Sequence, residues 1–323
     1  MKPSALSLKW LELFQLVART GSVQAAADEA GLSVSTVSHH LGRLETVLGT
    51  PLIDHTRRPM RITPTGAVFL NSVDEALRLI RKAEIGARAG SLPETRNLSL
   101  ALIEDFDSEI GPELARSLAA SMPRCAFRHM TRPSHEILAL LRAGEADMGV
   151  ATRPPFDQAD LVEYPLLRDP FVLAVPARID IAPEDFIGDR SGLPLLRYSQ
   201  SQIIGPMIEA HLRRLQVALP NRFEIESNQS ILGLVAEGSG WAITTPMNYL
   251  RASRFQRQVR LLPFPGKGFA RTLSLFATDP HRGALAETLA ETLRQLIRTR
   301  AVDPAAERLD WLRRMFTILP QAG

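Results

Sequence analysis

A run of polar side chains near the N-terminus has the residue types that contact a nucleic acid. Between positions 33 and 43, serine, threonine, histidine and arginine side chains occur beside the valine at position 34. Hydroxyls bond base edges or phosphates, a valine contacts a thymine methyl, and imidazole and guanidinium groups reach the backbone. This segment supplies the candidate DNA-contacting residues Ser33, Val34, Ser35, Thr36, Ser38, His39 and Arg43.

Two short helices, separated by Gly-Leu-Ser, must position these side chains. Gly31 can adopt the left-handed conformation that ends one helix, and Ser33 can cap the next. The apolar positions repeat at helical spacing, as Trp10, Leu13, Phe14 and Val17, then Ala26, Ala27 and Ala30, then Val37, Leu41, Leu44 and Leu48. This order predicts a helix-turn-helix, and a plain helical hairpin is the alternative.

The next segment predicts a wing beside the third helix. Residues 51–56 and 61–63 have the pattern of two short strands around a basic turn. Arg57, Arg58 and Arg61 would lie along the flanking phosphates of the DNA. A solvated surface loop is the alternative interpretation.

A long amphipathic helix follows the wing, with Thr63 or Thr65 as its cap and Pro64 in its first turn. Its apolar positions repeat at intervals of three and four, as Phe69, Val73, Ala76, Leu77, Ile80 and Ala83. Such a helix favours a partner helix. Pairing two copies of the chain would present two recognition helices to successive major-groove faces.

After a predicted hinge at residues 90–93, short apolar runs alternate with helices. Strands are expected at 97–103, 126–130 and 148–151, and this alternation predicts a mostly parallel sheet covered on both faces. A second unit of the same kind runs from about 169 to 266, with strands near 195–198, 223–225 and 259–262. Residues 270–277 and a helix at 284–299 would return to complete the first unit.

Ligands of open α/β sheets bind where strands end, between lobes. The loops at those ends supply the candidate binding residues Asp105, Phe106, Asp107, Ser108, Arg132, Ser134, His135, Arg153, Ser199, Gln200, Asn228 and Gln229. Arg132 and His135 suit an anion, whereas Asp105 suits an ammonium group. The ligand class therefore stays open between carboxylic acids, amino acids and amines. The plainer interpretation is that Ser134 and Ser227 cap helices and that the aspartates are solvated.

These residues resemble the LysR-type transcriptional regulators. The stretch LELFQLVARTGSVQAAADEAGLSVSTVSHHLGRLETVLGTPLIDHT and the later RITPTGAVFL keep the family's order of helix, Gly-Ser, Ala-Ala, Leu-Glu-x-x-Leu-Gly, wing and Thr-Pro-x-Gly. LLRAGEADMGVA and LVAEGSGWAITTP match more loosely. The chain departs from the family pattern at Val34-Ser35, where Gln-Pro or Gln-Ser is common, and at His39, near which the family has an arginine.

The resemblance implies an all-α winged helix-turn-helix at 1–64, a linker and dimerisation helix at 65–90, and an effector-binding domain at 97–302. It also implies two α/β lobes joined by crossing strands, as in periplasmic solute-binding proteins. Lobe I would take about 97–168 and 267–302, and lobe II about 169–266. A bacterial homodimer or homotetramer that binds double-stranded DNA, a small effector and RNA polymerase would follow.

Residues 303–323 extend beyond the usual end of the family. Their apolar positions Leu309, Leu312, Phe316 and Leu319 fall on one helical face. We therefore expect a helical tail that docks on its own lobe or on a neighbouring subunit, rather than a membrane anchor.

Composition narrows the function classes further. The 323-residue chain is 45% hydrophobic and 23% charged, without an apolar run long enough to span a bilayer. Its N-terminus lacks an export signal, so a cytoplasmic location is expected. Its net charge of +3 and pI near 9.3 suit nucleic-acid contact. The single Cys125 excludes an intramolecular disulfide.

No motif predicts an enzyme, a cofactor or a metal site. The chain lacks metal-spaced His/Cys sets, a Gly-x-Ser-x-Gly nucleophile and a glycine-rich phosphate loop. An acid–base pair of His135 and Asp105 is the weaker, enzymatic interpretation. The favoured function is a sequence-specific, effector-controlled transcriptional regulator, and an effector-independent architectural DNA-binding protein is the alternative.

Overall fold

The computed structural model describes residues 6–54, 59–89, 97–155, 160–278 and 283–320. The chain forms two compact units, residues 1–91 and 92–323. No helix of the described ranges is both long and apolar enough to cross a membrane.

Three helices make the core of the first unit: α1 (Leu8–Thr20), α2 (Val23–Ala30) and α3 (Val34–Leu48). Gly31 ends α2 with φ of +63°, and the Ser33 hydroxyl accepts the Thr36 backbone N–H at 3.2 Å, so both predicted signals are confirmed. The predicted apolar stripes meet in one cluster, with Ala26 and Ala27 fully buried. Ala30, in contrast, is exposed.

The wing consists of β1 (Ile53–Asp54) paired antiparallel with β2 (Arg61–Ile62). Both strands are shorter than the predicted 51–56 and 61–63, and residues 55–58 lie outside the described ranges. The Glu45 carboxylate of α3 accepts the backbone N–H groups of Leu52 at 2.7 Å and Ile53 at 3.1 Å. The third helix and the first wing strand are thus held together by one side chain.

Helix α4 (Pro64–Ala89) begins where the wing ends. Its cap is Thr63 rather than Thr65, since the Thr63 hydroxyl accepts the Gly66 N–H at 2.9 Å. A Cβ at Gly66 would lie 2.1 Å from the Leu52 carbonyl oxygen, so only glycine permits this close approach. Val73 and Leu77 are buried in the same cluster as α1–α3, so this part of α4 belongs to the core of the first unit.

The second unit contains eleven strands and eight α-helices within the described ranges. The strands are β3 (Asn97–Leu102), β4 (Ala126–Thr131), β5 (Met148–Thr152), β6 (Val162–Pro170), β7 (Val172–Pro176), β8 (Leu196–Tyr198), β9 (Phe223–Ile225), β10 (Ala242–Thr244), β11 (Val259–Pro263), β12 (Ala270–Ala277) and β13 (Thr317–Ile318). The helices are α5 (Ile110–Ser121), α6 (Ser134–Arg142), α7 (Pro183–Ile187), α8 (Ile204–Arg214), α9 (Asn228–Glu237), α10 (Pro246–Arg251), α11 (Gly283–Ile297) and α12 (Asp303–Arg308).

Six strands form the larger sheet, in the order β13-β6-β12-β5-β3-β4. β3 pairs in parallel with β4 and β5, but β12 is antiparallel to both β5 and β6. The expectation of a mostly parallel sheet is therefore wrong, because the chain comes back from the second lobe in the opposite direction. The predicted return of 270–277 to this sheet is confirmed.

The second lobe holds an antiparallel sheet, β10-β7-β11, and a parallel pair, β8-β9. Two segments join the lobes: β6 continues into β7 through Phe171, and β11 leads into β12 through 264–269. The Phe171 N–H donates to the Phe269 carbonyl at 2.9 Å, and the two rings stack at 4.1 Å. This crossover is the one that the resemblance implied.

The C-terminal tail is not the predicted helix. Helix α11 runs through a π-helical turn into α12, which stops at Leu309 because its backbone is extended (φ −135°, ψ 86°). Leu312 and Phe316 are buried, but Leu312 ends a short 3₁₀ turn (Asp310–Leu312) and Phe316 directly precedes β13, which pairs with β6. The tail therefore completes one edge of the larger sheet.

Candidate functional site

The outer surface of α3 carries the predicted DNA-contacting side chains. Thr36 is half-buried, and the exposed members of the set are Ser33, Val34, Ser35, Ser38, His39 and Arg43. The Ser33 hydroxyl lies 2.8 Å from that of Ser35 and 2.7 Å from that of Thr36. These three hydroxyls form one ordered polar cluster at the start of the helix.

The predicted phosphate-contacting arginines lie in and beside the wing. Arg61 is exposed on β2. Arg57 and Arg58 lie outside the described residues. Of these three arginines, the structure therefore describes the position of Arg61 alone.

A cavity of about 330 Å³ lies between the two lobes of the second unit. Its walls are the segments that follow β3 and β4 and the end of β5 in lobe I, and the segments that follow β8 and β9 in lobe II. The predicted residues that line it are Asp105, Arg132, Ser134 and Asn228. Loop ends from both lobes thus meet at one cavity, as expected for an open α/β sheet.

This cavity is not lined by four other predicted residues, Phe106, Asp107, His135 and Arg153. Phe106 is fully buried in the core, and Asp107 accepts the Thr131 hydroxyl at 2.8 Å. His135 is exposed, and Arg153 pairs with Glu163 at 2.6 Å. Each is a near neighbour of a lining residue, but its side chain is placed elsewhere.

The remaining four predicted residues, three in lobe II and Ser108 in lobe I, do not line it either. The Ser199 hydroxyl lies 3.0 Å from that of Ser201, and the Gln200 N–H donates to Glu224. Gln229 donates to the carbonyl of Arg251 at 3.5 Å. Ser108 is exposed and lines a different cavity.

A buried ion-pair cluster forms one wall of the interlobe cavity. The Arg271 guanidinium donates to Asp169 at 2.9 Å, to the Thr245 hydroxyl at 3.0 Å, and to Asp105. Arg271 and Asp105 are about 5% exposed and Asp169 is not exposed. The Asp105 carboxylate therefore already has a cationic partner, and binding of an ammonium group by Asp105 stays a prediction.

Sequence reasoning missed Arg271 and a second buried network in lobe II. The Tyr198 hydroxyl donates to Asn228 at 2.5 Å and lies 2.7 Å from the Thr244 hydroxyl, while Asn248 donates to Tyr198 at 3.4 Å. Burial raises the pKa of the Tyr198 phenol, so its proton is retained. This network fixes the Asn228 amide at the cavity wall.

The starts of two helices also line the interlobe cavity. Ser227 caps α9 by accepting the Ser230 N–H at 3.3 Å. Ser134 does not cap α6, because it is already the first residue of the helix, and its hydroxyl accepts the Thr152 N–H at 3.0 Å. Helix starts present unpaired N–H groups, which favour anions.

Charged side chains of both signs surround the opening. Arg132 is about half exposed and donates to its neighbouring carbonyl at 2.7 Å. Glu104 of lobe I and Glu226 of lobe II supply carboxylates. Burial raises the pKa of Glu104, and the charge of Arg251 opposes this shift. No group of metal-ligating side chains occurs among the residues that the structure describes.

Two family models match the chain. The "LysR substrate binding domain" covers residues 93–298, and the "Bacterial regulatory helix-turn-helix protein, lysR family" covers residues 8–67. The chain belongs to the LysR family. It is a LysR-type transcriptional regulator with a helix-turn-helix DNA-binding domain and a ligand-binding domain. Members of this family bind DNA and small-molecule effectors and form oligomers.

The sequence is similar to proteins that are named as transcriptional regulators or activators. The HTH-type transcriptional regulator BbuR of Bordetella bronchiseptica is 26% identical over 271 residues, 82% of each chain. A probable hydrogen peroxide-inducible genes activator of Mycobacterium xenopi is 29% identical over 170 residues, 53% of this chain and 89% of that one.

Solved structures share the fold of this LysR regulator. A Corynebacterium glutamicum OxyR C206 mutant superposes with a TM-score of 0.55 at 21% identity, covering 95% of this chain and 97% of that one. Full-length BenM superposes with a TM-score of 0.54 at 17% identity, covering 91% of this chain and 97% of that one.

Proposed function

We propose that a small polar effector binds in the interlobe cavity and alters how this regulator acts on DNA. The observation that carries the proposal is the cavity itself, whose walls come from both lobes. A volume of about 330 Å³ is near the lower end of small-molecule sites, at about 300–1,000 Å³. A ligand that touches both lobes favours one lobe arrangement over another, which is the requirement for control by binding.

The charges around the cavity restrict the effector to three classes. Arg132 and the starts of α6 and α9 suit a carboxylate, whereas Glu104 and Glu226 suit an ammonium group. We propose a carboxylate, an amine, or an amino acid that carries both groups. Asp105 acts by holding Arg271 in the wall.

On the DNA side, we propose that the exposed hydroxyls of α3 read bases, while Arg43 and the wing arginines contact phosphates. Val68 is 71% exposed and Ile80 is 37% exposed on α4, which supports pairing of this helix with a second copy. A dimer or tetramer would then bind repeated half-sites. RNA polymerase as a partner and a cytoplasmic location are proposed from the family's regulatory role.

The first test is thermal unfolding of the purified protein with panels of carboxylates, amines and amino acids. A carboxylate effector should raise the Tm of wild type but not of Arg132→Gln, and an ammonium effector should lose its effect in Glu226→Gln. Arg190→Gln and Glu184→Gln are exposed controls of the same charge changes in lobe II. A Tm shift that both cavity variants retain would contradict binding in this cavity.

The second test connects the ligand to DNA. Fragments of genomic DNA bound by the protein at physiological salt are recovered and sequenced, with and without the stabilising compound. Enrichment of a few sites with inverted repeats, changed by the compound, is expected. Even coverage under both conditions would favour the effector-independent architectural protein instead.

A further inference from the structure

The ligand-binding domain contains a second cavity, of about 350 Å³. One wall is the segment that begins at Ser108 and enters α5. Another is α10 with the turn that follows it, up to Gln256. The third wall is residues 299–308 of the C-terminal segment. The second cavity is therefore as large as the interlobe cavity, and Asp105 lines both of them.

Three arginines line the second cavity, and they differ in how far they are paired. Arg300 makes two contacts with the Glu113 carboxylate, at 2.6 and 3.0 Å. Arg308 is exposed and donates to the neutral amide oxygen of Gln256 at 2.9 Å. Arg308 thus keeps donors for a ligand.

Arg251 carries the unsatisfied donor. Its Nη2 lies 3.4 Å from Glu104 and 3.9 Å from Asp107. Its Nη1 is buried without a hydrogen-bond partner among the described residues. A buried donor without a partner costs about 1–3 kcal/mol, and more when charged, so a ligand atom that accepts from Arg251 once its guanidinium turns toward the cavity would be favoured.

The acidic groups at this cavity do not fill that role. Asp105 is salt-bridged to Arg271, and Glu109 is exposed at the wall. Glu104 and Asp107 face the other nitrogen of Arg251. These carboxylates reduce the local positive charge, so a ligand must bond Arg251 and Arg308 directly rather than rely on the surrounding field.

The third wall comes from the C-terminal segment of the chain. The match to the LysR substrate binding domain ends at residue 298, whereas Arg300, Pro304 and Arg308 lie beyond it. We propose that this second cavity binds a small organic anion, a carboxylate or a phosphate monoester, through Arg251 and Arg308. The buried side chains of Ile110, Met247 and Ala301 offer an apolar surface for the body of the ligand.

This site goes beyond the effector site proposed above, and it would couple to it. Arg251 belongs to lobe II, whereas Arg308 belongs to the segment that follows α11 of lobe I. An anion that bonds both fixes these elements relative to each other. Because such coupling is reciprocal, the anion should change the affinity of the interlobe cavity for its own ligand.

Isothermal titration of the full-length protein tests the proposal with three probes that share one ring: phenylacetate, phenyl phosphate and phenethylamine. We expect at least one anion to bind with a Kd below about 1 mM, and the amine not to bind at this site. Arg251→Gln and Arg308→Gln should each weaken the anion about tenfold or more, since a charge-assisted bond is lost. The two anions distinguish a carboxylate site from a phosphate site.

Arg190→Gln, an exposed arginine outside both cavities, is the matched control and should leave binding within twofold of wild type. Circular dichroism verifies folding, and Arg308→Gln keeps the test valid if Arg251→Gln unfolds. The proposal is overturned if neither anion binds below about 1 mM. It is also overturned if Arg132→Gln abolishes binding while Arg251→Gln and Arg308→Gln retain it, because the anion would then occupy the interlobe cavity.

Discussion

Replacing Arg271 by methionine should strongly destabilise the ligand-binding domain. The substitution leaves the buried carboxylates of Asp105 and Asp169 without the guanidinium that both contact. Breaking a buried ion pair by removing one partner costs about 3–5 kcal/mol. For a domain of this size, about 2–4 °C of Tm is lost per kcal/mol, so the expected loss in Tm is about 6–20 °C.

The assay is thermal unfolding for the Tm and urea unfolding for the free energy, both followed by tryptophan fluorescence, because Trp241 is buried in this domain. Arg190→Met removes an exposed ion pair with Asp185 and should cost about 1 kcal/mol or less. The triple variant that adds Asp105→Asn and Asp169→Asn to Arg271→Met should recover most of the lost stability, since no buried charge then remains in this cluster.

The loss should depend on pH with a defined sign. Burial raises the pKa of Asp169 to about 6 even beside Arg271, and removal of the guanidinium raises it further. A carboxyl whose pKa is raised by folding destabilises the protein above that pKa, and the penalty is relieved as the pH falls through it. Arg271→Met should therefore lose more stability at pH 8 than at pH 5. A loss below about 1 kcal/mol at pH 8, or an equal loss at both values, would refute the electrostatic account.

Three further predictions concern other parts of the chain. Ser35→Ala should change which DNA sequences are bound. Arg61→Ala should weaken binding to every sequence and lower by about 1 the slope of the logarithm of the binding constant against the logarithm of the salt concentration. Equal losses on every sequence for Ser35→Ala would contradict the assignment of Ser35 as a residue that reads bases. Gly66→Ala should strongly destabilise the first unit in urea, because its Cβ would lie 2.1 Å from a backbone oxygen, whereas Gly42→Ala has open space and should stabilise by up to about 1 kcal/mol. Burial lowers the pKa of His211, and the charge of a neighbouring arginine lowers it further. The stability that the neutral His211 side chain contributes is therefore present above about pH 6.5 and is lost at lower pH. His211→Phe should remove this part of the pH dependence of the urea midpoint.

The DNA-binding unit could be predicted closely because its signals are local. The Ser33 cap, the left-handed Gly31 and the apolar stripe of α3 each depend on residues within a few positions. The link from Glu45 to the wing spans only seven and eight residues, yet glutamate on a helix gives no sign of it in the sequence. Side-chain bonds to the backbone of another element therefore required the structure.

The C-terminal tail shows how apolar spacing can identify buried residues and still mislead about geometry. Leu312 and Phe316 are buried as their spacing indicated. The helix nevertheless ends before them, and the Leu319 N–H donates to the Leu166 carbonyl at 2.9 Å. Burial of apolar surface is satisfied by a turn and an added strand as well as by a helix, and the free edge of β6 decides between them.

Arg271 could not be identified from the sequence as part of the wall of the interlobe cavity. It lies 166 residues from Asp105 and 102 from Asp169, inside a strand whose other residues are mostly apolar or small. In the sequence alone, the acidic residue Asp105 suggests an ammonium ligand. In the structure, the guanidinium of Arg271 neutralises the charge of the Asp105 carboxylate. The charge of this part of the wall is thus set by a strand that returns from the other lobe, and the proposed ligand contacts at the opening of the cavity are Arg132, Glu104 and Glu226.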